Sequence, residues 1–239
     1  MGILITLKVA IHQPQYFPYP GFFHKLSLAD VFVIMDDVQY DKRFTNRNTI
    51  LDPHGPLRLT VPINKALKFS PNMLVEINND MPWREDHLTK ILGSYSNAPY
   101  FSLYRDYFEN LYKREWKMLF ELDFETTKRT MEWLGLNIPI IKESELNVKG
   151  ESNERLVNVC KSLGADTYVS GTGAKAYLDE KLFEKSNLKV EFQNYTQTPY
   201  PQKFSKIFIP QLSIIDMLAN VHPENGFFGK GQAILVPNL

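Results

Sequence analysis

An α/β fold, with a mainly parallel, Rossmann-like sheet and flanking helices, is predicted by two features of the sequence. Short apolar runs of strand length alternate with longer helical patterns along the chain. The apolar runs lack an apolar–polar alternation, which is typical of parallel strands that are covered on both faces. Because strands and helices follow one another in a β-α-β rhythm, a parallel sheet is favoured over an antiparallel sandwich.

The length and composition fit a single α/β domain that covers residues 1–239. The chain is 44% hydrophobic and 23% charged, and its 27 basic residues equal its 27 acidic ones. This balance argues against nucleic acid as a partner, since nucleic-acid-binding proteins usually carry a basic excess. Cys160 is the single cysteine, so neither an intrachain disulfide nor a thiolate metal cluster is expected. We find no run of ~18 apolar residues and no secretion signal, so we expect a cytoplasmic protein without a membrane span.

The first part of the β-α-β pattern begins with a buried strand at 8–11, which ends at His12. An aromatic, proline-rich turn at 16–20 follows the strand. A short helix is predicted over 21–29, because its apolar residues recur at helical spacing. The next predicted strand, 31–35, is a continuous apolar run that stops at two aspartates.

The middle of the chain, 82–135, is predicted to be a helical insertion or a cap over the sheet. A proline at 82 suits the first turn of a helix, which we expect over 83–95. A second helix is expected from about 103 to 134, with a break near Asp123. Short strands are predicted before this segment, at 57–62 and 74–77.

The last part of the chain returns to the β-α-β pattern, and Gly164 is a helix stop signal just before a strand. The elements predicted here are strands at 139–141, 167–169 and 189–192 and helices at 153–164, 174–187 and 212–220.

Polar and reactive side chains follow the predicted strands, and ligands of open α/β sheets bind at the carboxyl ends of the strands. His12 follows the first strand and is a candidate catalytic residue, because histidine exchanges a proton near neutral pH. The alternative is a hydrogen-bonded histidine that only closes the strand. Asp37 follows the second strand and is a candidate to orient His12, to bind a metal or to hold a ribose hydroxyl. It can equally be a solvated residue that closes a strand.

Other residues are candidates for substrate binding. Arg47, between Asn46 and Asn48, presents a planar cation that suits phosphate or carboxylate, although a surface turn would give the same pattern. Lys25, on the first helix, is a candidate phosphate contact. Tyr16, in the aromatic turn, can stack on a sugar or a base, or belong to a rigid corner. The remaining substrate-binding candidates are Gln13, Gln39, Tyr177 and Gln202.

The turn Ser170-Gly171-Thr172-Gly173 offers backbone amides and hydroxyls at a predicted strand-to-helix junction, a setting that binds anions. It is neither a Walker loop nor a hydrolase elbow, because the Gly-Lys-Ser/Thr ending and the Gly-x-Ser-x-Gly pattern are absent. The histidines at 54, 87 and 222 lack metal-ligand spacing, and we therefore expect no metal site.

The segment HQPQYFP at 12–18 is followed by GFFHK at 21–25. Together with several later segments, this opening resembles the WbqC-like protein family. Tyr19 stands where that family has a tryptophan. The later matching segments lie at 29–33, 37–40, 46–48, 59–62, 168–171, 177–178, 200–202 and 212–216.

The resemblance implies a bacterial protein from gene clusters for O-antigen, other surface polysaccharides or specialised metabolites. It also implies transfer of glycine, or another small acyl group, onto a nucleotide-linked amino sugar. The leading interpretation is therefore an acyl or aminoacyl transferase with a small, phosphate-bearing substrate. His12 would remove a proton from the sugar amine, Asp37 would orient His12, and Arg47 would hold phosphate. These roles are assigned on chemical grounds and not by the resemblance.

Two other interpretations stay open. An ATP-dependent adenylyl or nucleotidyl transferase is favoured by analogy with adenylate-forming folds of the HIGH type, and it predicts ATP and magnesium as cofactors. His12 and His24 are too far apart in sequence for a His-x-Gly-His motif, so that motif itself is absent. The third interpretation is a non-catalytic protein that binds sugar nucleotides.

Overall fold

A computed structural model describes residues 6–222, which divide into two units. The described residues of the first unit are 6–13, 22–38 and 137–196. Those of the second unit are 14–21, 39–136 and 197–222.

The described residues form seven strands and seven α-helices. The strands are β1 (Lys8–His12), β2 (Val31–Ile34), β3 (Arg47–Asp52), β4 (Gly55–Thr60), β5 (Ile140–Lys142), β6 (Thr167–Ser170) and β7 (Lys189–Phe192). The α-helices are α1 (Pro20–Leu26), α2 (Trp83–Tyr95), α3 (Arg105–Lys113), α4 (Leu119–Trp133), α5 (Ser152–Ser162), α6 (Glu180–Lys185) and α7 (Ile214–Asn220).

The first unit is built on a five-stranded sheet in which every neighbouring pair is parallel. The spatial order is β5-β2-β1-β6-β7, so the chain moves outward from β1 in one direction and then in the other. This is the doubly wound order, and its switch point lies between β1 and β6. The predicted α/β fold with a mainly parallel sheet is confirmed.

Both faces of this sheet are covered at its centre, which explains why the inner strands β1 and β2 are mainly apolar. Val9 and Ile11 of β1 belong to a buried cluster with Cys160 of α5 and Phe183 of α6. The residue between them points to the opposite face, where Phe22 of α1 packs against Phe32 of β2 with ring centroids 5.7 Å apart. His12 lies two residues after Ala10, the residue between Val9 and Ile11, so its side chain points to that second face.

In its described residues, the second unit combines an antiparallel hairpin with four α-helices, α2, α3, α4 and α7. Strands β3 and β4 pair from Arg47↔Thr60 to Asp52↔Gly55, which leaves a two-residue turn between them. Gly55 has a φ of 117°, a conformation that glycine adopts far more readily than other residues. Helices α2 and α7 both contact β3, and α2 also contacts α3.

The structure corrects two predictions for the middle of the chain. The long helix expected from 103 to 134 is not broken near Asp123, which lies inside α4, but is interrupted between α3 and α4. The expected strand at 74–77 is present only as single bridges. Both differences have one cause, since the Leu119 amide donates to the Val75 carbonyl and the Ile77 amide donates to the Lys117 carbonyl. This distant pairing draws the chain before α4 into an extended conformation.

The helix expected at 174–187 also differs, because it is a short 3-10 helix (Thr172–Ala176) followed by α6. In the stretch from 6 to 222, none of the helices has the length and apolarity that crossing a bilayer would require. The helical insertion or cap at 82–135 stays a prediction.

Candidate functional site

His12 is the last residue of β1, at the carboxyl edge of the parallel sheet. Its ring packs edge-on against Phe22, with ring centroids 4.9 Å apart. Its Nδ1 lies 2.9 Å from the backbone oxygen of Gln13. Because a carbonyl can only accept a hydrogen bond, Nδ1 carries the proton and Nε2 keeps its lone pair. Nε2 is therefore the nitrogen that can take a proton from a ligand.

Lys25, on the last turn of α1, brings a positive charge to the same edge of the sheet. The side chain is only 3% exposed, and its Nζ donates to the backbone oxygen of Ile11 at 2.9 Å. Among residues 6–222, no carboxylate lies within ion-pair distance of this ammonium. A buried lysine normally has a carboxylate partner, so Lys25 is suited to an anion supplied by a ligand.

Burial changes the protonation of both residues. Burial, followed by the nearby charge of Lys25, lowers the pKa of His12 to about 3, against the opposing effect of its hydrogen bond to Gln13. Burial alone lowers the pKa of Lys25 from 10.5 to about 7. At neutral pH the imidazole is therefore uncharged, and the lysine exchanges its proton in the physiological range.

Other candidates of the first unit lie along the same edge. Gln13 is half-buried, and its backbone oxygen fixes the His12 ring. Ser170 ends β6, the strand next to β1, and is completely buried, whereas Gly171 is partly exposed. Tyr177 is 68% exposed, and its backbone oxygen accepts a hydrogen bond from the Asn153 side chain while its backbone amide donates to the Ala174 oxygen. The structure therefore brings Gln13, Ser170 and Gly171 to the edge with His12 and leaves the Tyr177 ring in solvent.

Asp37 lies at the carboxyl end of β2, where Arg155 contacts it. The Arg155 Nη2 donates to the Asp37 backbone oxygen at 3.2 Å and lies 3.4 Å from its Oδ2. The Arg155 Nε also donates to the buried carboxylate of Glu143. The neighbouring Asp36 is buried and accepts hydrogen bonds from the amide and hydroxyl of Ser144. The contact seen for Asp37 is thus with Arg155 and not with His12.

In the second unit, Tyr16 lies in a buried hydrogen-bonded chain. Its hydroxyl contacts the Tyr112 hydroxyl and lies 2.9 Å from His87 Nδ1. Burial lowers the pKa of His87 to about 4, so His87 is neutral and its Nδ1 accepts a hydrogen bond from the Tyr16 hydroxyl. A fully buried ring cannot stack on a ligand at the surface, so this arrangement supports the rigid-corner alternative for Tyr16.

The segment from Asn46 to Asn48 enters β3 and does more than form a turn. The Asn46 amide donates to the Val61 backbone oxygen at 2.7 Å, and its oxygen accepts from Arg47 Nε at 3.1 Å. Asn48 donates to the backbone oxygen of Phe17 at 2.6 Å, which anchors the aromatic turn. Arg47 is partly exposed and also bonds to Tyr40.

The two remaining candidates of the second unit are separate from this segment. Gln39 is exposed and forms a backbone bridge with Pro71. Gln202 is buried, and its amide group donates to the Ile209 backbone oxygen and to the Asp216 carboxylate at 2.8 Å. Its oxygen accepts from the Ile209 amide. The hydrogen bonds of Gln202 are therefore used within the protein.

Asp123 is a buried polar residue that the sequence patterns did not single out. It lies on the inner face of α4 with Thr126, Thr127 and Thr130, at spacings of three, four and seven residues. Burial raises the pKa of its carboxyl group well above the ordinary value. The sequence did contain one sign of this burial, since Asp123 recurs at helical spacing with the apolar residues of α4.

Comparison with known proteins identifies the family. The family model described as "WbqC-like protein family" matches residues 13–226. The chain is also similar to "Uncharacterized protein Rv1507c" of Mycobacterium tuberculosis (strain ATCC 25618 / H37Rv). The two sequences are 31% identical over 220 residues, which cover 91% of this chain and 95% of the relative. No solved structure matches the chain significantly. Because the family model covers most of its length, the chain belongs to the WbqC-like protein family.

Proposed function

We propose that the first unit binds the phosphates of a nucleotide-linked amino sugar, and that the protein transfers an acyl or aminoacyl group, such as glycyl, onto the sugar amine. The reaction would serve the synthesis of O-antigen, another bacterial surface polysaccharide or a specialised metabolite. The observation that carries the proposal is the buried ammonium of Lys25 beside a neutral His12 at the carboxyl edge of the sheet.

Phosphate is the anion that this edge suits best. Lys25 lies at the end of β1, next to the switch point of the doubly wound sheet, where such folds bind nucleotides. The hydroxyl and backbone groups around Ser170 and Gly171 lie at the end of the neighbouring strand. A bound phosphate would supply the counter-charge that Lys25 lacks, and it would hold this lysine in its charged form.

His12 is placed to act as the general base of the transfer. When the sugar amine attacks the acyl carbonyl, a C–N bond forms and the bond to the donor group breaks. The donor group leaves with that electron pair, and the amine loses one proton. Nε2 of His12 can accept this proton. Burial is the larger cause of the lowered His12 pKa, and the charge of Lys25 adds to it. A bound phosphate would offset the charge of Lys25 and would so make the imidazole a stronger base.

The second candidate function is an ATP-dependent adenylyl or nucleotidyl transferase. The doubly wound strand order, with a lysine beside its first strand, is the observation that favours it. In that case ATP and magnesium would bind at the same edge, and His12 and Lys25 would contact the phosphates that are transferred or released.

Thermal unfolding with added ligands tests the proposal. UDP-glucosamine and ATP with magnesium should be compared, each at about a hundred times its dissociation constant. Such a ligand stabilises the native state by about 2.7 kcal/mol, which raises the midpoint by roughly 5–10 °C for a chain of this length. Lys25→Met should abolish the shift, while Lys161→Met, which removes an exposed lysine of the same unit, should retain it.

The pattern of shifts separates the functions. A shift with UDP-glucosamine alone supports transfer onto a sugar, and a shift that requires ATP supports the adenylyl transferase. If neither ligand shifts the midpoint, the phosphate site is wrong.

A second variant, His12→Ala, distinguishes an enzyme from a binding protein. Loss of a general base lowers the turnover of an enzyme by a factor of ~10²–10⁴. In a binding protein this substitution would change affinity only.

A further inference from the structure

The carboxyl group of Asp123 is buried in the second unit, and the described part of that unit supplies no partner for it. The residue is 0% exposed, and neither carboxyl oxygen has a hydrogen-bond partner within residues 6–222. Burial raises its pKa, and within residues 6–222 no lysine or arginine forms an ion pair with it. A buried carboxyl group in this state costs several kcal/mol unless it is neutral or meets a donor.

The surroundings of Asp123 are polar and aromatic. Asp123 lies close enough to Tyr16 and Tyr40 to act electrostatically on both hydroxyls. The hydroxyl of Thr127, one helical turn from Asp123 on the same face, is also buried without a partner in the described chain. A purely structural carboxyl group would be expected to have donors, as the buried Asp216 does from Tyr95, Tyr200 and Gln202.

A carboxylate among tyrosine rings suits one kind of ligand group in particular. A primary ammonium brings three N–H donors and a positive charge, and it is attracted both by a carboxylate and by aromatic rings. Anionic or purely apolar ligand groups would leave the carboxyl oxygens unsatisfied or add repulsion. The chemistry of the site therefore selects a cation that donates hydrogen bonds.

We propose that Asp123 anchors the primary ammonium group of a ligand, close to Tyr16 and Tyr40. The inference rests on the proposed function in that both an amino sugar and an amino acid carry such a group. In the free protein, burial favours the neutral acid form of Asp123. When the ammonium form of a ligand binds, the proton of Asp123 passes to solvent and an ion pair forms.

Entry to this site requires a side chain to move, and Tyr40 is placed to do so. Tyr40 lies in the loop between β2 and β3, beside the exposed residues Gln39 and Lys42. Its amide donates to the Ser70 oxygen at 3.0 Å and its hydroxyl bonds to Arg47, so a rotation of the ring would break the contact with Arg47 and keep the backbone hydrogen bond. Changes of side-chain rotamer of this kind are common on binding.

Calorimetric titration of the full-length protein tests the proposal and identifies the source of the amine. The probes are glycine and glucosamine, with N-acetylglucosamine as the neutral counterpart. Asp123→Asn keeps the shape of the side chain but removes its charge, and it should weaken the binding of the amine probe by about 30-fold or more. Glu121→Gln, which removes an exposed charge from the same helix, should leave binding unchanged.

Infrared difference spectra give an independent readout. The carbonyl band of a protonated carboxylic acid should disappear when the amine binds to the wild-type protein, and Asp123→Asn should lack that change. Equal binding by the wild type and Asp123→Asn, or no binding of either amine to the wild type, would overturn the proposal. Because the phosphate site is tested with Lys25→Met and nucleotides, either proposal can fail while the other stands.

Discussion

The Nζ of Lys25 donates to the backbone oxygen of Ile11 at 2.9 Å, which fixes a buried cation at the end of the central strand. The same contact helps to explain the neutral state of His12, since the lysine charge adds to burial in lowering the His12 pKa. The described chain gives Lys25 no carboxylate partner, so its buried charge lowers the free energy of unfolding. This loss of stability can be measured by replacing Lys25.

Lys25→Met should stabilise the protein most at low pH. The pKa of Lys25 is lowered from 10.5 to about 7 in the folded protein. As the pH falls from above 10 towards 7, the unfolded chain takes up the proton first, so Lys25 lowers the free energy of unfolding increasingly over this range. Replacing it with an apolar side chain removes this penalty, and the gain should be about 2–3 kcal/mol larger at pH 6 than at pH 9. Urea unfolding of both proteins at the two pH values measures the difference.

Comparing two pH values cancels the pH-independent loss of the hydrogen bond to Ile11. An equal effect of the substitution at pH 6 and pH 9 would show that Lys25 keeps an ordinary pKa. The assignment of Lys25 as a buried cation that awaits a phosphate would then be wrong.

Arg155 and Asp37 should respond very differently to substitution. Arg155→Met leaves the carboxylate of Glu143, which is 1% exposed, buried without its cation, and this should cost about 3–5 kcal/mol. Asp37→Asn disrupts a longer and more exposed contact of the same arginine and should cost less than about 1 kcal/mol. Chemical denaturation of the two variants tests this ranking.

The same pair of variants also tests a catalytic role for Asp37. Asp37→Asn should fold normally, so a large loss of turnover in this variant would place its carboxylate in the reaction. Unchanged turnover would leave Asp37 as the outer partner of Arg155, as the hydrogen bonds indicate.

The parallel sheet could be predicted from the sequence because its strands are locally apolar. The runs at β1, β2 and β6 each signal a buried strand without reference to the rest of the chain. The interruption before α4 could not be predicted in this way, because a pairing with the chain near Val75 creates it. A hydrogen bond between residues so distant in sequence leaves no local pattern.

The candidate site likewise contains residues that a local sequence pattern indicates and features that depend on distant contacts. His12 and Lys25 could be selected by their positions after a strand and on a helix. The absence of a carboxylate beside Lys25 in the described chain depends on tertiary packing, and so does the burial of Asp123. The sequence also gave no sign that Asn48 holds the turn before α1, since its partners are backbone oxygens.

Asn48→Ala should destabilise the protein by about 1–3 kcal/mol. Phe17 has a φ of 43°, which is unusual for an aromatic residue, and its backbone oxygen accepts from Asn48 at 2.6 Å and from the Ser213 hydroxyl at 2.9 Å. Losing the Asn48 amide removes one of these two donors from a strained turn. Thermal unfolding measures the loss, with the exposed Gln39→Ala as a variant that should not change stability. If Asn48→Ala unfolds like the wild type but loses affinity for ligands, Asn48 is a binding residue instead.

Two buried aspartates of the second unit should respond in opposite ways to conversion to asparagine. Asp216 accepts hydrogen bonds from Tyr95, Tyr200 and Gln202. In Asp216→Asn an amide nitrogen replaces one of the oxygens, and because this nitrogen is itself a donor it cannot accept these hydrogen bonds. Asp216→Asn should therefore cost about 1–3 kcal/mol. Asp123 has no such donors in the described chain, and the neutral amide replaces a group that is already uncharged in the free protein.

The pH dependence of stability distinguishes the Asp123 variant further. Because the folded-state pKa of Asp123 is raised, its contribution is complete below its unfolded pKa of about 3.9 and is lost as the pH rises towards the folded value. Asp123→Asn removes this loss, so its stability relative to the wild type should increase from pH 4 to pH 8. Urea unfolding across this range provides the measurement. A variant that is destabilised at pH 8 as strongly as Asp216→Asn would mean that the Asp123 carboxylate already has a partner in the free protein.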